Sequence, residues 1–195
     1  MTRPVVLFDV MGTLVHDPFF VEVPAFFGTD LRTLVQHKHP TAWVDFELGT
    51  IDEAELGRRF FADERELDVA GLKAAMVEAY RWLPGIEDLL ERLQARDVAM
   101  HTLSNYPCWY ELIEAKLGIS RYMPWTFVSC HTGARKPDAA AYLQAAAQLG
   151  VPCDACLFVD DRALNCQGAL AVGMHAIEFS VAEQLGRELH ARGLL

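Results

Sequence analysis

The chain begins with a short apolar, β-branched run over residues 4–10 that meets Asp9 before Gly12 and Thr13 interrupt it. A run apolar on both faces predicts a buried parallel strand. Residues 17–28 are rich in Phe and Pro and read as a connection with little regular structure. From residue 29 to about residue 83 the apolar positions predict helices over 29–37, 40–47, 52–61 and 69–82, with no strand between them. Asp52, Glu53 and Glu55 set acidic side chains at a helix start, where they favour the dipole.

The pattern changes after Pro84-Gly85. Helices are predicted over 86–95, 107–117, 137–149, 163–172 and 182–191, and strands over 98–103, 125–129, 155–159 and 175–179. Pro137 is expected in the first turn of its helix. Strands alternating with helices imply an α/β fold, a parallel sheet covered on both faces. The expected organisation is a core of residues 1–15 and 84–195, with an all-helical block of residues 16–83 inserted after the first strand.

A length of 195 residues suits one domain, or one domain with an insertion. At 52% hydrophobic and 23% charged, the chain is too apolar for disorder, and it is long enough to bury a core without staples. The net charge of −10 argues against nucleic acid as the main partner. Five scattered cysteines do not form a secreted disulfide framework, and Cys153 and Cys156 are a lone CxxC with no second pair. No signal peptide is evident, and no stretch approaches the roughly 18 apolar residues of a membrane span. A soluble, cytoplasmic monomer or homodimer is therefore expected.

Ligands of open parallel sheets bind outside the carboxyl ends of the strands. The first strand leads into Asp9, Met11, Gly12 and Thr13, the second into Ser104 and Asn105, and the fourth into Asp160 and Asp161. Lys136 precedes a helix, next to Arg135. Singly, each is an ordinary turn, cap or surface residue. Together they put carboxylates, a hydroxyl and an ammonium on one rim, a set suited to a phosphate and a hard cation.

These residues also carry a resemblance. Phe8-Asp9-Val10-Met11-Gly12-Thr13-Leu14, Leu103-Ser104-Asn105, Lys136-Pro137-Asp138 and Phe158-Val159-Asp160-Asp161-Arg162 resemble, in order, the four motifs of the haloacid dehalogenase (HAD) superfamily. The resemblance implies a Rossmann-like core with a small helical cap and hydrolysis of a small phosphorylated metabolite. It makes Asp9 the nucleophile of an aspartyl-phosphate mechanism. It gives Mg2+ to Asp9, the Met11 backbone carbonyl, Asp160 and Asp161, and the phosphoryl oxygens to Ser104 and Lys136. Gly12, Thr13, Asn105 and Arg135 would contact substrate; Arg135 and Arg162 could equally form structural ion pairs.

Met11 departs from the pattern. Phosphatases of the superfamily usually carry a second Asp there, which protonates the leaving oxygen, and a thioether cannot transfer a proton. His16, Asp17, His37 and His39 are nearby groups able to do so. Dehalogenases of the superfamily also replace that Asp, so carbon–halogen hydrolysis is one alternative. A silent phosphate-binding protein on the same scaffold is another. The Asp160-Asp161 pair favours metal and phosphate. The runs Asp9-Val10-Met11, Asp17-Pro18-Phe19 and Pro24 to Gly28 resemble a plant plastid subgroup associated with hydrolysis of flavin mononucleotide (FMN). The aromatic side chains between Phe19 and Phe61 offer either a core for the cap or a pocket for a flat ring. Trp109 and Tyr110 either line the entrance or pack on the sheet.

Overall fold

The computed structural model describes residues 4–195. Among them, β1 (Val5–Phe8), β2 (Met100–Ser104), β3 (Phe127–Val128), β4 (Cys156–Asp160) and β5 (His175–Glu178) form one sheet in the order β3-β2-β1-β4-β5. All four pairings are parallel. The chain builds one side of β1 and then crosses to the other, so the order reverses at β1. That switch point is where an open α/β sheet leaves a crevice.

Helices α1 (Glu22–Phe26), α2 (Leu31–His37), α3 (Ala42–Glu47), α4 (Glu53–Arg59) and α5 (Val69–Ala79) all fall between β1 and β2. They are followed by α6 (Ile86–Gln94), α7 (Tyr110–Leu117), α8 (Ser129–Thr132), α9 (Ala139–Leu149), α10 (Ala163–Ala171) and α11 (Ala182–Ala191). Side chains on a strand alternate between faces, and β1 divides accordingly. Val6 and Phe8 join a buried cluster with α6, α7, α11 and the inserted helices, while Leu7 joins a second cluster with α9 and α10.

The inserted segment leaves and returns side by side. Val15 pairs antiparallel with Trp82, His16 N donates to Arg81 O at 2.9 Å, and Leu83 N donates to Leu14 O at 2.9 Å. The inserted helices bury Leu34, Phe46, Leu56 and Leu72 in the same cluster that holds Val6 and Phe8. The aromatic stretch thus does supply a core.

Several elements differ from the sequence expectation. Residues 17–28 are not irregular. Asp17 Oδ1 accepts from Phe19 N at 2.9 Å and starts a 3-10 turn at Pro18–Phe20, and α1 follows with Glu22 in its first turn. The helix expected over 69–82 ends at Ala79, because Tyr80 takes an extended ψ of 124° and leads into the paired return strand. The helix expected from 107 begins at Tyr110. The strand expected over 125–129 is only Phe127–Val128, and Ser129 opens α8, its hydroxyl donating to Glu47 O at 2.6 Å. Pro137 lies outside its helix: the Lys136–Pro137 bond is cis, and Asp138 is the N-cap of α9. All five cysteines are free, and no helix of the described residues is long and apolar enough to cross a membrane.

Candidate active site

Asp9 follows β1 directly, and its backbone N–H continues the ladder to Val159 O at 2.9 Å. Its carboxylate therefore projects beyond the sheet at the switch point. Lys136 Nζ reaches across the loop before α9 to Asp9 Oδ1 at 2.6 Å and to Asp160 Oδ2, at the end of β4, at 2.7 Å. Asn165 on α10 donates to both oxygens of Asp160 at 3.0 Å, and Arg162 N donates to Oδ1 at 2.9 Å. Thr13 Oγ1 donates to Asp9 Oδ2 at 3.1 Å and accepts from Asp161 N at 3.0 Å, which ties the first and fourth motifs together.

Gly12 makes this turn with φ +80°, and a Cβ there would lie 2.6 Å from Asp161 Oδ2. Only glycine fits both the left-handed backbone and the close carboxylate. Thr13 is wholly buried, with its hydroxyl engaged by Asp9 and Asp161. Neither residue is on the cavity wall, and the Thr13 hydroxyl joins the first and fourth motifs.

The charges do not balance. Asp9, Asp160 and Lys136 are all buried. Burial pushes the Asp9 carboxyl up to about 7 against the pull of Lys136, and Asp160 adds to the rise. Burial and then Asp160 raise Asp161 to about 6. Burial opposes the Lys136 charge, but Asp9 and Asp160 outweigh it and hold the ammonium above its ordinary range. One ammonium faces three carboxylates whose oxygens lie within 4.8 Å of one another. Such an oxygen donor set fits a hard divalent cation.

Ser104 Oγ, at the end of β2, is buried without a hydrogen-bond partner. A buried polar atom left so costs about 1–3 kcal/mol, which a ligand oxygen would relieve. Asn105 is differently engaged. Its Oδ1 accepts from Lys136 N and its Nδ2 donates to Lys136 O, each at 2.8 Å, so it clamps the backbone that carries the lysine. That clamp also explains why the 136–137 segment stays off the helix. Arg135 donates to Glu47 Oε2 from Nε at 3.1 Å and from a terminal nitrogen at 2.8 Å. Arg135 is thus in an ion pair, one of the two roles open to it. Glu47 also accepts from Trp43 Nε1 at 2.7 Å.

A cavity of about 380 Å³ lies above these groups. Asp9, Met11, Lys136 and Asp161 line it, with Phe19, Trp43, Tyr106, Lys38, Glu47 and Arg135 also on its walls. Its size is at the small end of small-molecule sites. Trp109 is not on the wall; it packs on Trp43 and Phe46 and donates to Glu53 Oε2 at 2.6 Å. Glu47 and Tyr106 are not singled out by the sequence as site residues. No motif marks them, and only the packing of the inserted helices brings them to the cavity.

The sequence profile of haloacid dehalogenase-like hydrolases matches residues 4–173. The chain belongs to this family. The hydrolase is 48% identical to flavin mononucleotide hydrolase 1 (chloroplastic) of Arabidopsis thaliana over 192 residues, covering 98% of this chain and 78% of that protein. Its fold matches that of a HAD family enzyme of Bacteroides thetaiotaomicron solved with magnesium and inorganic phosphate. The TM-score is 0.71 at 18% identity, over 92% of this chain and 96% of that one. L-2-haloacid dehalogenase of Xanthobacter autotrophicus has the same fold, with a TM-score of 0.67 at 20% identity, over 97% and 83% of the two chains.

Proposed function

We propose that this hydrolase is a Mg2+-dependent phosphatase of small phosphomonoesters, with FMN its leading substrate, acting through an aspartyl-phosphate on Asp9. The observation that carries the reading is the convergence of Asp9, Lys136 and Asp160 beneath a cavity, with too little positive charge for its carboxylates and an unpartnered Ser104 hydroxyl close by in the fold. The identity with a plant FMN hydrolase supports the substrate.

Asp9, Asp160, Asp161 and the Met11 carbonyl would hold Mg2+, which supplies positive charge to the phosphoryl oxygens. Lys136 and Thr13 fix the two oxygens of Asp9, leaving the carboxylate oriented for in-line attack on phosphorus. Ser104 and Lys136 donate to the phosphoryl oxygens and stabilise their charge. The ester oxygen departs, and water then cleaves the aspartyl-phosphate. Asn105 and Asn165 hold Lys136 and Asp160 in register.

Phosphate release from FMN and a panel of phosphomonoesters, with Mg2+ and with EDTA, tests this. Metal-dependent release, absent in Asp9→Asn, is expected. Release of halide from a 2-haloacid without metal, and none from any ester, would overturn the reading in favour of carbon–halogen hydrolysis. Neither activity in folded protein would leave a silent ligand-binding scaffold.

A further inference from the structure

The proposed phosphatase chemistry lacks a proton donor at Met11, and the structure points to a replacement. We infer that Asp17 protonates the leaving oxygen of the ester and then takes a proton from the attacking water. This rests on the phosphatase reading above.

The chain path places Asp17 there. After Met11 the loop closes on itself: Gly12 N donates to Val15 O at 2.8 Å, Val15 N donates to Val10 O at 2.9 Å, and Met11 bridges Val15. Asp17 follows two residues later, on the wall of the same cavity as Asp9, Met11 and Asp161. Its Oδ1 is held by Phe19 N at 2.9 Å, and Oδ2 takes no hydrogen bond among the described residues. One carboxyl oxygen is thus anchored and the other is free to work.

The rival groups are placed elsewhere or engaged. His16 Nε2 is bound to both oxygens of Glu22, at 2.8 and 3.0 Å. His39 Nδ1 accepts from Thr41 N and Ala42 N, and His37 lies on a separate hollow beside Phe27 and Phe61. None of these three histidines lines the active cavity. Tyr106 does, but its hydroxyl is 2.7 Å from that of Tyr80, and burial drives both phenols up, making them weaker acids. Glu47 is committed to Arg135 and Trp43. Lys38 lines the cavity as well; burial lowers its ammonium, Glu47 opposes the fall, and its charge is engaged by that carboxylate and the Phe19 ring.

Asp17 is acted on by His16, Glu22 and Arg162, and it acts in turn on Asp161, Tyr80 and Tyr106. Burial raises its carboxyl above the usual range against the pull of Phe19 N, His16 and Arg162, which favours a protonated acid. In the first step an Asp9 oxygen bonds to phosphorus, and the ester P–O bond breaks with its electron pair going to the alcohol oxygen. That oxygen takes the Asp17 proton. In the second step water bonds to phosphorus while Asp17 accepts its proton. The bond between the Asp9 oxygen and phosphorus breaks with its electron pair returning to that oxygen; phosphate is released, and the Asp9 carboxylate and the Asp17 carboxyl are restored.

The test compares kcat/KM for FMN, whose alkoxide leaving group needs a proton, with p-nitrophenyl phosphate, whose leaving group does not. Asp17→Asn keeps an acceptor for Phe19 N. It should lose roughly 10²- to 10⁴-fold on FMN and far less on the aryl ester. Met11→Asp added to Asp17→Asn should restore part of the FMN activity. Equal losses on both esters, or an undiminished FMN rate, would overturn the assignment. Should Asp17→Asn not fold, the wild type decides. A shallow dependence of kcat/KM on leaving-group acidity across aryl and alkyl phosphates is expected, and a collapse toward the alkyl esters refutes a working donor. Wild-type protein that cleaves no ester would instead sink the phosphatase reading itself.

Discussion

Glu47, the last residue of α3, is ion-paired at 2.8 Å with Arg135, the residue before Lys136. The inserted helices are thereby bound to the loop that carries the ammonium of the site. Burial raises the Glu47 carboxyl, and Arg135 opposes the rise. Arg135→Ala strands a buried acceptor, so unfolding in urea should show a loss of about 1–3 kcal/mol. Glu47→Gln, whose amide oxygen still accepts from the guanidinium, should lose less. Equal stability of Arg135→Ala and wild type would remove the pair as a fastening.

Lys136 is the sole cation bonded to both Asp9 and Asp160 among the described residues. Lys136→Met leaves two buried carboxylates without their partner, a loss of about 3–5 kcal/mol. Mg2+ should recover part of that stability, because a bound cation again offsets the carboxylates. Hydrolysis should not recover, since the proposed donor to the phosphoryl oxygens is gone. Thermal melts with and without Mg2+ check both statements.

The metal-free protein should lose stability as pH rises. Asp9 and Asp161 are raised from 3.8 to about 7 and about 6, so the folded state keeps protons that the unfolded chain has released. Stability is then highest near and below the unfolded value and falls as pH climbs through the folded values, between about 4 and about 7. Lys136, held above its ordinary range, contributes across that whole window and loses its contribution only in alkali. Saturating Mg2+ should flatten the fall, adding about 2.7 kcal/mol at a hundred times its Kd. Melts in EDTA from pH 5 to 8, repeated with Mg2+, measure it; a rise of metal-free stability with pH would contradict the charge imbalance.

Trp43 lines the cavity, with its ring 6.4 Å from Tyr106 and its Nε1 on Glu47. A flat substrate ring resting there would gain about 0.5–1.5 kcal/mol from aromatic packing. Trp43→Leu should therefore raise KM for FMN by roughly 3- to 10-fold and leave that for glycerol phosphate near the wild-type value. Equal effects on the two esters would place the flavin elsewhere.

The alternation of apolar strands with helices, and the polar residues just past the strand ends, were legible because a parallel sheet imposes both. A strand buried on two faces must be apolar throughout, and its carboxyl end is where the backbone stops pairing. Asp9, Ser104, Lys136, Asp160 and Asp161 could be named from that logic and from their order. Their roles relative to one another could not. Asn105 and Arg135 both line the cavity, but the sequence does not show that one clamps the backbone of Lys136 and the other pairs with Glu47, 88 residues away. The helix at Glu22–Phe26 was hidden by Phe and Pro, and the stop at Tyr80 by a helical pattern that continued. Asp17 was one of four nearby proton-bearing groups until the loop from Met11 to Val15 turned it onto the cavity wall. Local pattern determines which face of an element is apolar and which residues leave the sheet. Which side chains then meet depends on long-range closure of the chain, and only the tertiary structure decides that.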